Sequence, residues 1–200
     1  MFVTAEDGSK FVLKDDGTWK AAVAVDVPAA VSPGEGFRKA SWGSSKASIK
    51  ATEEQSWSES DDVLTFDTSM GGLSSRAVFI FIDDQLVRAK YIVTETYQNG
   101  NKYIVALEAL KELLMKKYGT PREDNSYWTD DLYKNDPDEW GMAVGGGDLS
   151  RYVMWDTAAT SICLALTGEN YDITLQIEYS AKAFTELEKS RTEASQLEDL

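Results

Sequence analysis

The alternation of apolar and polar positions changes period along this chain, and each change marks an element. Between Val63 and Met70 the period is two, which puts Leu64, Phe66 and Thr68 on one side of a strand. From Leu86 to Thr94 the same period groups Val87, Ala89, Tyr91 and Val93. Ala77 to Ile82 is apolar at every position, which predicts a strand covered on both faces. A helical period follows. Tyr103, Leu107, Leu110, Leu114 and Tyr118 recur at spacings of four, three, four and four, one stripe of an α-helix. Asn99 or Asn101 is positioned to cap its start, Gly119 stands where a left-handed C-cap is expected, and Pro121 cannot continue a helix. Three more strands are expected at Arg151 to Asp156, Ser161 to Thr167 and Tyr171 to Tyr179, the last with Ile173, Leu175, Ile177 and Tyr179 in alternation. Asp83-Asp84-Gln85 and Thr167-Gly168-Glu169-Asn170 are short enough to close hairpins between neighbouring strands.

An earlier, shorter helix is expected from Lys46 to Gln55, with a serine of Trp42-Gly43-Ser44-Ser45 as its N-cap. The order helix, then strands, therefore occurs twice after Phe37. Before it, the turns Glu6-Asp7-Gly8-Ser9 and Asp15-Asp16-Gly17-Thr18 flank Lys10 to Leu13 and lead to Trp19, a small β-hairpin over residues 1–20. Residues 21–36, AAVAVDVPAAVSPGEG, read as an extended linker, with an edge strand at Val23 to Val27 as the alternative. Arg122 to Leu149 is a polar, glycine-rich stretch that is long for a loop, so it holds either an extra strand around Trp140 to Val144 or a function. Residues 181–200 have the composition of a terminal helix, expected to fray beyond Arg191. The fold class that follows is α+β: a small β-hairpin, then two successive helix–β-meander units over 37–180, with an antiparallel sheet packed on helices.

Two short segments carry a resemblance. Trp42-Gly43-Ser44-Ser45 before the first helix and Tyr118-Gly119-Thr120-Pro121 after the second, each followed by a meander, resemble the small α/β units of the β-lactamase-inhibitor-protein type. Such units also occur in outer-membrane assembly lipoproteins. The Phe-Arg-x-x-x-Trp-Gly-x-Ser segment from Phe37 to Ser45 is similar to the opening of a class of uncharacterised bacterial proteins. The resemblance spans Phe37 to Ser180, implies a binding or scaffolding module, and transfers no catalytic residue. Those lipoproteins carry an export signal and a lipidated cysteine, neither of which this sequence shows.

Composition narrows the chemistry. Of 200 residues none is histidine and one is cysteine, Cys163. Ser/His/Asp and Cys/His catalysis, the usual zinc sites and internal disulfides therefore lack their parts. A hydrophobic fraction of 42%, with 6 Trp, 9 Tyr and 7 Phe, is enough to build a core. The formal net charge of −14 repels phosphate backbones and anionic lipid, so no nucleic acid is expected as a partner. No apolar run approaches the ~20 residues of a membrane span. The chain as written reads as cytoplasmic, or as extracytoplasmic if an export signal preceded it.

The remaining candidates are weak in pattern. Gly145-Gly146-Gly147 lacks the Lys and Ser/Thr of a phosphate-binding loop and reads as a turn. Cys163, inside Ile162-Cys163-Leu164-Ala165-Leu166, reads as a small buried hydrophobe. Asp130, Asp136 and Asp138 offer hard oxygens to calcium but lack the EF-hand order, and a solvated acidic loop is the alternative. With 34 acidic residues, some carboxylate pair for glycoside hydrolysis can always be found, so the pairing signal is empty. Trp128 and Trp140, set in polar sequence, are the residues expected to meet a partner, against the alternative of core packing. The expectation is a non-catalytic binding or scaffolding protein, not an enzyme, with no cofactor and a protein or peptide partner. A self-associating homodimer is a further possibility. The alternative is a carboxylate-based hydrolase or calcium-dependent binder using the 124–139 loop.

Overall fold

The computed structural model describes residues 35–198, with backbone alone at 194, 195, 197 and 198, together with the backbone of residues 2–4, 10–13 and 19–21. The chain divides into two compact units, Met1–Ala30 and Val31–Leu200. In the first, strands β1 (Phe2–Thr4), β2 (Lys10–Leu13) and β3 (Trp19–Ala21) form an antiparallel meander in that order. The expected hairpin thus gains a third strand. Both turns, the Trp19 side chain and nearly all of the expected linker lie outside the described residues.

The second unit is α+β, as the periodicity predicts. A two-residue pair, β4 (Gly36–Phe37) and β5 (Ala40–Ser41), leads to helix α1 (Lys46–Thr52). Strands β6 (Ser58–Ser60), β7 (Val63–Met70), β8 (Leu73–Ile82) and β9 (Gln85–Val93) form the first meander. Helix α2 (Asn101–Tyr118) precedes the second: β10 (Glu123–Trp128), β11 (Leu149–Asp156), β12 (Thr160–Glu169) and β13 (Asp172–Ala181). Helix α3 (Trp140–Gly146) is inserted between β10 and β11, and α4 (Thr185–Glu198) closes the chain. The last strands of the two meanders pair, β9 against β13. One eight-stranded antiparallel sheet results, in the order β10-β11-β12-β13-β9-β8-β7-β6. No described helix is long and apolar enough to cross a membrane.

Local chemistry explains most boundaries. Ser45 caps α1, its Oγ accepting from the Ser48 amide at 3.2 Å. The α2 stripe is buried at Tyr103, Leu107, Leu110 and Leu114. Gly119 has φ +82° with extended ψ, a positive-φ exit but not the left-handed cap expected. Asp83 and Asp84 both take positive φ in the two-residue turn between β8 and β9. At the far hairpin the turn is Asn170-Tyr171, two residues beyond its expected centre, and Gly168 belongs to β12.

That shift has a packing cause. A Cβ on Gly168 would meet the Val144 carbonyl oxygen at 2.1 Å, and one on Gly141 would meet the Asn101 amide nitrogen at 2.2 Å. Residues 140–146 are thus a helix pressed onto the sheet, not the extra strand expected around Trp140 to Val144. Glycine is a poor helix former, which hid the element. Asn101 secures its start: its Oδ1 accepts from the Gly141 amide and its Nδ2 donates to the Asp138 carbonyl. Gly147 ends the helix at φ +85°.

The Phe37–Ser45 segment is a structural clasp. Phe37 is buried edge-on against Phe79, with ring centroids 5.0 Å apart. Arg38, at φ +57°, donates to the buried carboxylate of Glu53 at 2.8 Å and lies over the Phe66 ring. Trp42 Nε1 donates to Thr160 Oγ1 at 2.7 Å, tying this segment to the second meander.

Candidate functional site

Register assigns a face to every strand residue. Helices α2 and α3 and the core, from Leu107 and Leu110 to Leu149, Val153, Ile162, Leu164 and Ile177, occupy one face. On the opposite face the two meanders differ. Over the first, Arg88 joins Glu178 at 2.8 Å and Glu188 of α4 at 2.9 Å, and Lys90 joins Glu178 at 2.6 Å. Helix α4 thereby flanks Ile80 and Ile82 and runs on to Glu198, past the point where fraying is expected. These two residues are half-buried, so β8 is less evenly covered than its unbroken apolar run predicts.

Over the outer strands of the second meander lies an aromatic patch. Tyr127 of β10 is 54% exposed and meets Tyr152 of β11 edge-to-face at 5.8 Å. With Met154, Glu123, Asn125 and Ser150 they line a shallow depression of about 470 Å³. Cys163 is on this face too and is half-buried, rather than in the core as expected. Burial pushes its thiol pKa up, and the Glu178 charge adds to this, so the thiolate is disfavoured.

Among the described residues β10 is also the end of the sheet, with six residues paired to β11 on one side only. Thr129 N–H donates to the Asp148 carbonyl at 2.9 Å, which fixes the phase of the ladder. Antiparallel alternation then turns the amides and carbonyls of Asp124, Ser126 and Trp128 away from β11, toward the free edge.

The strand is held from behind by charge. Arg151, buried on the helix side, reaches Glu108 at 2.9 Å and Asp124 at 3.4 Å, and Lys111 reaches Asp124 at 2.6 Å. Burial alone would raise the Asp124 pKa, but the Lys111 hydrogen bond and the two cations outweigh it and hold it below the usual value. Among the described residues Arg151 Nε has no hydrogen-bond partner, consistent with a guanidinium serving two carboxylates through its other nitrogens.

Trp128 and Trp140 come together, edge-to-face at 5.9 Å. Both are half-buried and pack against the core, with Trp140 Nε1 donating to the Lys134 carbonyl at 3.3 Å. They join α3 to the end of β10, on the face opposite Tyr127. Asp130, Asp136 and Asp138 do not converge. Asp130 accepts from the Leu132 amide at 2.8 Å in a local turn, and Asp138 offers its carbonyl to Asn101. Among the described residues no three acidic or cysteine side chains are grouped to hold a metal ion. Donation to Glu95 is the first cause that pushes the Tyr97 phenol up to about 12 and keeps it protonated.

Sequence reasoning missed Tyr127, Tyr152 and β10 itself. The one available signal was in β11, where Tyr152 and Met154 put large side chains on the face opposite Val153 and Trp155. No family model, curated protein or solved structure matches this chain.

Proposed function

We propose that this chain is a non-catalytic binding or scaffolding module that recognises a protein or peptide partner through the outer face and free edge of its second meander. The observation that carries the reading is the Tyr127–Tyr152–Met154 patch beside an unpaired six-residue strand. An exposed tyrosine, Tyr127, backed by the half-buried Tyr152 provides contact area at low entropic cost. The resemblance noted at Phe37–Ser45 and Tyr118–Pro121 points the same way, since it implies a binding module. Trp128 and Trp140 act here as the brace that fixes the β10 end, not as the contact.

Selection of a phage-displayed random dodecapeptide library on the immobilised protein tests the reading. Enriched clones should lose binding to a Tyr127→Ala/Tyr152→Ala double variant whose melting temperature is unchanged. Failure to enrich, or clones indifferent to the double variant, overturns it.

A further inference from the structure

The edge of β10 has a chemistry of its own, and naming its partner class rests on the binding-module reading above. The sheet has two ends. At one, β6 has three residues. At the other, β10 presents six, with three outward-facing amide–carbonyl sets at Asp124, Ser126 and Trp128. An unpaired edge of this length is a template for another strand, and folded proteins usually blunt such edges with charge, bulges or cover.

The charge here has a sign. The turn that continues β10, from Thr129 to Glu139, contains Asp130, Asp131, Asp136, Asp138 and Glu139 against Lys134 alone, a net −4. Among the described residues only Asp131 of these five acids has an ion pair, with Lys134 at 2.9 Å. Asp124, by contrast, is already neutralised by Lys111 and Arg151. The turn lies on the helix side, where Trp140 meets Trp128, while Tyr127 and Tyr152 lie on the other.

A second copy of this chain is the wrong occupant. Two β10 edges paired antiparallel about Ser126, the register that matches outward-facing groups, would join chains that each carry −14, with one net −4 turn at each end of the new ladder. Like charges juxtaposed across an interface oppose association.

We infer that the free edge of β10 accepts an extended cationic peptide segment as a ninth strand. Its alternate apolar side chains lie beside Tyr127 on the outer face, and its lysines or arginines face the acidic 129–139 turn. Main-chain hydrogen bonds to Asp124, Ser126 and Trp128 supply the pairing, and alternate side chains supply the selectivity, the mode of recognition by strand addition.

The probe is an acetylated, amidated octapeptide of alternating lysine and valine, with a glutamate-for-lysine version as control. Binding is read by fluorescence anisotropy and by amide hydrogen exchange in NMR. The lysine peptide should bind about tenfold or more tightly than the glutamate peptide, because the turn attracts one and repels the other. Its affinity should fall about fivefold between 50 and 300 mM NaCl through screening. Exchange should slow at the Asp124, Ser126 and Trp128 amides and stay unchanged at Asn125 and Tyr127, which already face β11. Ser126→Pro removes one outward donor at an edge position that tolerates proline, and should abolish binding. If that variant unfolds, N-methylation of alternate peptide residues removes the peptide's donors and leaves the protein untouched.

Equal binding of both peptides, or of neither, overturns the inference. Lysine-peptide binding that ignores N-methylation and perturbs only Tyr127, Tyr152 and Met154 overturns strand addition but leaves the binding-module reading standing. A concentration-dependent dimer that protects the same three amides assigns the edge to a second copy and also overturns the inference. Loss of the phage-selected clones' dependence on Tyr127 and Tyr152 is the separate failure that removes the module reading itself.

Discussion

The first and second meanders run outward from a shared seam between β9 and β13, yet their surfaces are used in opposite ways. The first is anchored by aromatics: Phe37, Trp57, Phe66 and Phe79 interlock at centroid distances of 4.9 to 6.1 Å. Its outer face is tied to α4 by Arg88, and its edge is three residues long. The second is packed on aliphatic side chains and on glycine contacts with α3, while its outer face carries the Tyr127–Tyr152 patch and ends in a six-residue edge. The same succession of elements thus yields one half closed by ion pairs and a short rim, and another left open. The proposed contact surface lies where closure is least complete.

The difference can be broken from either side. The largest effect is expected in the second half, where Gly168→Ala places a methyl 2.1 Å from the Val144 carbonyl. Relief requires backbone movement of α3, so urea unfolding should show a loss of about 3 kcal/mol. In the first half, Arg38→Met leaves the Glu53 carboxylate, 1% exposed, without its cation. Arg38 itself is partly solvated, so the loss in the same assay should be about 2 kcal/mol, below the range for fully buried pairs. A Glu53→Gln/Arg38→Met double variant should recover part of it. Trp42→Phe removes the indole donor to Thr160 while keeping the ring, and should cost about 1 kcal/mol.

A smaller effect is read against pH. The folded pKa of Asp124 is held below its unfolded value, and so is that of Asp156. There burial opposes the shift, and hydrogen bonds from Lys182 and Ser161 with the Arg122 charge outweigh it. Groups depressed in this way stabilise the fold fully above the unfolded pKa, near 4, and lose that contribution as pH falls toward the folded value. Stability should therefore decline below about pH 5. Asp124→Asn should flatten the slope, by less than about 1 kcal/mol because the group is one-third exposed. The smallest effect is expected of Tyr127→Ala, 54% exposed on the end strand, which should leave the melting temperature within about a degree of the parent, since surface substitutions away from the core are near neutral. A large loss there would make the patch part of the structural scaffold and erase the contrast between the halves.

How much of this was legible depended on whether one interaction dominated locally. β7 begins and ends at Val63 and Met70, as its alternation predicts, and the α2 stripe is the buried one. Both elements bury one face against one layer, so period alone suffices. β10 reads Glu-Asp-Asn-Ser-Tyr-Trp with no polar–apolar alternation, because an edge strand with one solvated face and a charged anchor behind it needs none. α3 was illegible for a different reason. Its three glycines argue against a helix, and only tertiary contacts explain them, above all the approach of Asn101 to Gly141 and of Tyr171 to Gly145. The candidate site suffered from the same blindness: Trp128 and Trp140 stood out by composition, whereas the outer-face pair, exposed Tyr127 and half-buried Tyr152, is defined only by register.

The seam between the meanders also sets a clock. Ile92 pairs with Gln176, 84 residues later, so β9 cannot acquire its outer neighbour until most of the second half has been synthesised. At ribosomal rates of 5–20 residues per second that interval is roughly 4 to 17 seconds. During it the first meander, folded or not, has an open β9 edge at what will become the middle of the sheet. Arg88 and Lys90, which later face Glu178, give that waiting edge two like charges, a guard against premature pairing with a neighbouring nascent chain.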